Sequence, residues 1–237
     1  MALKKTFHLR GGKQSLSALI LTQGVLALGL GLFLTSFVFA AGGTTGGTVE
    51  GTIKVKKTYV DCTGPKSDKD VVVYLVPVSG AKADPPTAHA QMDQKGLNFI
   101  PHVLAVQKGT TVDFENQDSV NHNVSSPSAC CVFDLGQWGK GVAKNHVFDA
   151  EGDSVILCSL HPEMAAHVVV LNTPYFKTVE IVTNNAEKKQ SAKYSIKGVP
   201  AGKYTLKVWH KKLVAGAQEI TVTDGAATTA DVEIHKK

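Results

Sequence analysis

The chain has 237 residues, enough for one or two small domains and too few for a large multi-centre enzyme. Its formal charge of +5 is concentrated at the start: residues 1–40 hold Lys4, Lys5, Arg10 and Lys13 and no acid, leaving 21 bases against 20 acids in the remainder. A near-neutral body excludes the basic stripe of a nucleic-acid binder. Hydrophobic residues at 43% and charged residues at 19% exclude a disordered chain, and four cysteines exclude a disulfide framework at this size.

The first element is an export signal. The four bases form an n-region, residues 16–39 are mostly apolar, and Val38-Phe39-Ala40 places small residues where cleavage before Ala41 requires them. The apolar run is also long enough to span a bilayer, so a retained anchor is the alternative. Either way residues 41–237 are expected outside the cytoplasm, in the periplasm, with membrane contact only if the segment is retained. Residues 41–47 (AGGTTGG) then read as a flexible lead.

From there the chain reads as strands. Residues 48–56 (TVEGTIKVK) alternate, with Val49, Ile53 and Val55 on one side. Residues 71–78 (VVVYLVPV) form a continuous apolar run, the pattern of a buried strand. The intervening stretch 61–70 is polar with Gly64-Pro65, and 81–87 (AKADPPT) reads as a linker. Short β-branched or aromatic runs follow at 103–106, 111–115, 146–148, 154–158 and 167–171, then at 178–183, 193–197, 203–210, 218–222 and 231–235. This spacing predicts an all-β chain of sandwiches.

The chemistry lies between residues 122 and 164. Cys158-Ser-Leu-His161-Pro-Glu-Met164 puts a thiol, an imidazole and a thioether on one tight loop between two strands. A second imidazole, His122, precedes them by 36 residues. Two His and one Cys with a weak Met is the donor set of blue-copper electron transfer. Sulfur donors select copper over magnesium or calcium, and Met is a poor fourth ligand for zinc. A buried core thiol, a His-Pro turn and a Met as core filler are the ordinary readings of these residues taken singly.

Residues 87–171 resemble the cupredoxins, most closely the plastocyanin and amicyanin branch. The matching features are Phe99-Ile-Pro101, Val106-x-Lys-Gly-Thr-Thr-Val-x-Phe114, Asn116-x-Asp118, His122-Asn123-Val124 and the loop from Cys158 to Met164. The resemblance implies a Greek-key β-sandwich and one type 1 copper ion held by His122, Cys158, His161 and Met164. It implies single-electron transfer between redox proteins such as a cytochrome or a dehydrogenase, and a tie between Asn123 and the Ser159 region that joins the two ligand-bearing segments. His161, with Pro101 and Pro162 beside it, is expected at a solvent-facing rim. Residues 194–208 resemble the carboxypeptidase regulatory-like sandwich through a strand, the turn Gly198-Val-Pro-Ala-Gly202 and a second strand. The whole arrangement is similar to bacterial methylamine-utilisation-type proteins.

Residues 175–237 are few for an independent β unit. The strands within 48–82 are therefore expected to complete that second, small sandwich, with 87–171 inserted between. The tail carries no catalytic constellation, and the chain is expected not to be an enzyme. The alternative to an electron carrier is a copper storage or delivery protein. Among the remaining residues, His102 reads as a structural His beside a strand. Cys62 is a candidate disulfide partner for Cys130 or Cys131, and the adjacent Cys130-Cys131 pair is also a candidate second metal site. Asn123-Val-Ser125 fits a glycosylation sequon, a weak pattern.

Overall fold

The computed structural model describes residues 46–64 and 68–237. The segment 1–40, expected to be an export signal, and the expected lead as far as residue 45 lie outside the described residues. Among those described there is no helix, and none that is long and apolar enough to cross a membrane.

The strands, in chain order, are β1 (Gly47–Val55), β2 (Asp70–Pro77), β3 (Ala90–Gln91), β4 (Asp93–Gln94), β5 (Phe99–Ile100), β6 (Val103–Gln107), β7 (Thr110–Glu115), β8 (His122–Ser126), β9 (Phe133–Trp138) and β10 (Ala143–Phe148). They continue with β11 (Gly152–Leu157), β12 (Ala165–Leu171), β13 (Phe176–Glu180), β14 (Val182–Asn184), β15 (Lys189–Val199), β16 (Gly202–Trp209), β17 (Leu213–Val214), β18 (Gln218–Val222), β19 (Ala227–Thr229) and β20 (Val232–Lys236).

Strands from residues 90–171 enclose one core in a Greek-key sandwich of the cupredoxin kind. One sheet has the order β6-β12-β11-β8-β9 and the facing sheet β10-β7-β3, with β4 and β5 as a short hairpin. Consecutive strands β6 and β7 thus fall in different sheets, and β6 instead runs parallel to β12. Between the sheets lie Met92, Phe99, Val112, Phe114, Val124, Phe148, Ile156 and Val168. A second sandwich combines β1 and β2 with the strands after residue 175. Its sheets are β14-β15-β1-β20-β17, with β19 also on β1, and β13-β2-β16-β18. Val49, Ile53, Val71, Val73, Leu75, Ile181, Tyr194 and Leu206 fill it.

The continuous apolar runs have a common cause. In β2, Val71, Val73 and Leu75 face the interior of the second sandwich, while Val72 and Tyr74 face outward. In β12, Val168 and Val170 face the Greek-key core, while Val169 and Leu171 face outward. The two outward sets meet, with Val103, Phe176 and Trp209, in a third apolar cluster where the sandwiches touch. A strand buried on both faces has no polar side to alternate with.

Two expectations change. The run at 178–183 is not one strand: the chain crosses between sheets at Ile181, which is 1% exposed, so β13 joins β2 and β14 joins β15. Cys62 is not bridged to Cys130 or Cys131; all three are free. Cys62 packs against the second core, with Gln190 Nε2 donating to its sulfur at 3.5 Å, whereas Cys130 and Cys131 belong to the Greek-key core.

Candidate metal centre

The loop between β11 and β12 spans residues 158–164, with a sulfur residue at each end and His161 in the middle. It is a hairpin loop, since Leu157 and Ala165 are the last paired residues of the two strands. The Met164 N–H donates to the His161 carbonyl at 2.9 Å, closing a turn with Pro162 second, where its fixed φ is pre-set. The Cys158 N–H donates to the Met164 carbonyl at 3.3 Å, so the two ends are pinned together. Cys158 is 4% exposed and Met164 is fully buried, both in the Greek-key core. His161 is half-buried.

His122 opens β8, a strand the sequence pattern did not reveal. A register shift between Asn123 and Ser125 in its pairing with β9 breaks the alternation, so His122, Asn123 and Val124 are all buried in succession. β8 also pairs with β11 through Ser125 and Leu157, which brings His122 beside the ligand loop.

The donor atoms converge. One ring nitrogen from each of His122 and His161, with Cys158 Sγ, all lie within 4.8 Å of one another. The two Nδ1 atoms are 3.1 Å apart, and His161 Nδ1 is 3.6 Å from Cys158 Sγ. An ion with nitrogen and sulfur bonds of about 2.0–2.3 Å holds its donors roughly 3–4.5 Å apart, so the set fits a single metal ion.

The surroundings orient these donors. His122 Nε2 sits 2.9 Å from Asp118 Oδ2. With its Nε2–H donated to that carboxylate, His122 presents an unprotonated Nδ1 to the group, the tautomer a metal requires. Burial works to raise the Asp118 pKa, but the Leu97 and Gly96 N–H groups and the His122 ring together outweigh it and hold it below the usual carboxylate range. Asn116 secures the segment: its Oδ1 accepts from Asp118 N–H, and its Nδ2 donates to the carbonyls of Val120 and Trp138. The Asn123 N–H points at Cys158 Sγ from 3.4 Å. Asn123 Oδ1 accepts from Ser159 N–H at 3.1 Å, and its Nδ2 donates to Asp134 Oδ1 and the Gly136 carbonyl. Asn123 is 2% exposed, which leaves no room for a glycan.

Asp118 and Asp134 are the positioning residues that sequence reasoning missed. Asp118 was visible only as part of Asn116-x-Asp118, and nothing in its spacing shows that it meets the His122 ring. His102 stands outside the donor group. Its ring lies 6.0 Å from that of His167, near Lys211, where the sandwiches touch. Leu160 and Pro162, flanking His161, are exposed, as are Leu97, Ile100, Pro101 and Val120.

A protein-family model described as polysaccharide lyase family 4, domain II, matches residues 184–230. It replaces the carboxypeptidase regulatory-like resemblance drawn from the tail. Two strands around Gly198–Gly202 are a generic small-sandwich signal, and Asn184 to Ser191 lacks the Asp-Gly turn that likeness needed. No curated protein matches the chain. Among solved structures, a copper-containing nitrite reductase from Thermus scotoductus SA-01 is similar at 29% identity and a TM-score of 0.35, over 41% of this chain and 25% of that one. A novel purple cupredoxin from Nitrosopumilus maritimus is similar at 31% identity and a TM-score of 0.32, over 35% and 99%. A reduced mutant of amicyanin is similar at 22% identity and a TM-score of 0.34, over 42% and 98%.

Proposed function

We propose that this chain is a type 1 copper protein that carries single electrons between redox proteins outside the cytoplasm, and that it is not an enzyme. The observation that carries the reading is the convergence of two imidazole nitrogens and one buried thiol within 4.8 Å, on strands of a rigid sandwich. His122, His161 and Cys158 would hold the ion, with Met164, buried in the same core at the loop's end, as the weak fourth ligand. Copper supplies a one-electron couple between Cu(II) and Cu(I).

The protein's part is to keep the donors still. Asp118 fixes the His122 tautomer, and Asn123 ties the His122 strand to the Cys158 loop. His161 is the more exposed of the two imidazoles, flanked by the exposed Leu160 and Pro162. That exposure supports an exchange route through an apolar rim, where a cytochrome or a dehydrogenase would dock weakly.

The test is to add Cu(II) to the purified protein and record the visible spectrum. One ion per chain, an intense blue thiolate charge-transfer band bleached by ascorbate, and loss of that band in Cys158→Ser are expected. A colourless product that binds only Cu(I) would instead make the chain a storage or delivery protein.

A further inference from the structure

Cys130 and Cys131 form a second reactive centre, independent of the metal reading. They lie on the loop between β8 and β9, at the end of β8 remote from His122. Ser126, where this loop begins, is four residues beyond His122, about 13 Å along an extended strand. A turn closed by Cys131 N–H on the Ser128 carbonyl brings the sulfurs to 2.8 Å from one another.

That spacing bears on both uses of a thiol pair. Two thiolates bound at about 2.3 Å to one ion, at a right angle or wider, sit at least about 3.3 Å apart. From 2.8 Å a clamp needs about 0.5 Å of opening and a disulfide bond of about 2.05 Å needs less than 1 Å of closure, so the two sulfurs lie within reach of a bond to one another. A bridge between neighbours is no structural staple, because closing a two-residue loop constrains the unfolded chain very little. Adjacent Cα atoms, about 3.8 Å apart, also fall short of the usual 4.4–6.8 Å span of a disulfide, which makes such a bond easy to reduce. The pair suits reversible redox chemistry.

The two sulfurs are also unequal. Cys131 is 7% exposed and its sulfur faces the Ala150 carbonyl. Cys130 is half-buried, beside the exposed Val132, and rests on Gly152, where any Cβ would meet its own Cβ at 2.9 Å. Burial, and then the neighbouring Cys130, push the Cys131 thiol up to about 12. Cys130 is therefore the accessible attacker and Cys131 the resolving partner.

We infer that Cys130 and Cys131 form a reversible vicinal disulfide by exchange with an organic disulfide or the disulfide of a thiol oxidoreductase. The Cys130 thiolate attacks one sulfur of the oxidant, breaking its S–S bond and releasing one thiol. Cys131 then attacks Cys130 Sγ, loses its proton and displaces the second thiol. The chain gives up two electrons and two protons, and the oxidant leaves as two thiols.

The experiment exposes the folded full chain to dipyridyl disulfide, quenches in acid, alkylates and maps the peptides by mass. The peptide holding both residues is expected two hydrogens lighter, without alkyl or pyridyl groups, and restored by dithiothreitol. Cys131→Ser should stall with a pyridyl adduct on Cys130, and Cys130→Ser should leave Cys131 unmodified. A pyridyl adduct that persists on Cys130 of the wild type, or two free thiols after treatment, overturns the inference. So does a second copper ion per chain that either substitution removes, since that makes the pair a metal clamp.

Discussion

Replacing Asn123 by Ala tests whether one side chain joins the two ligand-bearing segments. The substitution removes three hydrogen bonds: from Ser159 N–H at 3.1 Å, to Asp134 Oδ1 at 2.7 Å and to the Gly136 carbonyl at 3.0 Å. A neutral bond contributes about 0.5–1.5 kcal/mol net and one to a charged acceptor about 1.5–3 kcal/mol. Asn123 is 2% exposed, but Asp134 and Gly136 are exposed, so water replaces part of what is lost on their side. The sum is about 2.5–6 kcal/mol, with the lower end expected because solvent reaches Asp134 and Gly136, and even that is a sizeable part of the roughly 5–15 kcal/mol that holds a domain folded. Urea denaturation of the metal-free protein, followed by Trp fluorescence, should show the midpoint fall with an unchanged slope. Loss of a supporting contact of this kind typically weakens metal binding about 10–100-fold, which a chelator competition would measure. A loss of stability below about 1 kcal/mol would show that the Asn123 bonds are made equally well by solvent, and the argument for a tied site would fail.

Three further outcomes are expected. Asp118→Asn should weaken metal binding about 10–100-fold with a small effect on folding, because His122 loses the charged partner that fixes its tautomer; unchanged affinity in a chelator titration would refute this. Val169→Asp places an unpaired carboxylate between the sandwiches, where Val169 is 2% exposed, and should cost about 3 kcal/mol or more at neutral pH by urea denaturation, with part regained in acid as the group is neutralised. His102 is held down to about 4 from 6.5 by burial first, then by Lys211 and His167; the unfolded chain therefore takes up this proton first. Stability from this group is full above pH 6.5 and falls as pH drops towards about 4. His102→Asn should flatten the pH 7 to 4.5 stability difference, and an unchanged slope would show that other groups carry it.

What the sequence revealed follows from which interactions are local. The loop from Cys158 to Met164 was legible because three donor atoms and the turn-forming Pro162 fall within seven residues. The edges of β18 and most central strands were legible because β-branched runs end at turn residues. β8 was not, because HNVSS has little strand character of its own. It is a strand because β9 and β11 lie on either side of it, and its register shift buries three residues in a row. β9 escaped notice for the same reason: FDLGQW alternates weakly, and Gly136, with φ 71°, sits inside it. Asp118 was hidden because its partner ring is fixed only after β8 has formed.

The same locality explains why the apolar runs were easier to find than to interpret. VVVYLVPV reads as a buried strand and HVVVL as a short β-branched one, but the sequence cannot say against what either packs. Each is buried on both faces because the sandwiches share the outward sides of β2 and β12. The candidate metal centre gains rigidity from this arrangement. β12 begins at Ala165, the residue after Met164, so the loop bearing Cys158 and His161 is rooted in a strand clamped from both sides. A ligand loop on a free sheet edge would share the looseness of that edge, whereas here any movement of β12 must disturb two cores at once. The second sandwich, which brings no side chain to the donor group His122, Cys158 and His161, thereby helps hold that group in place.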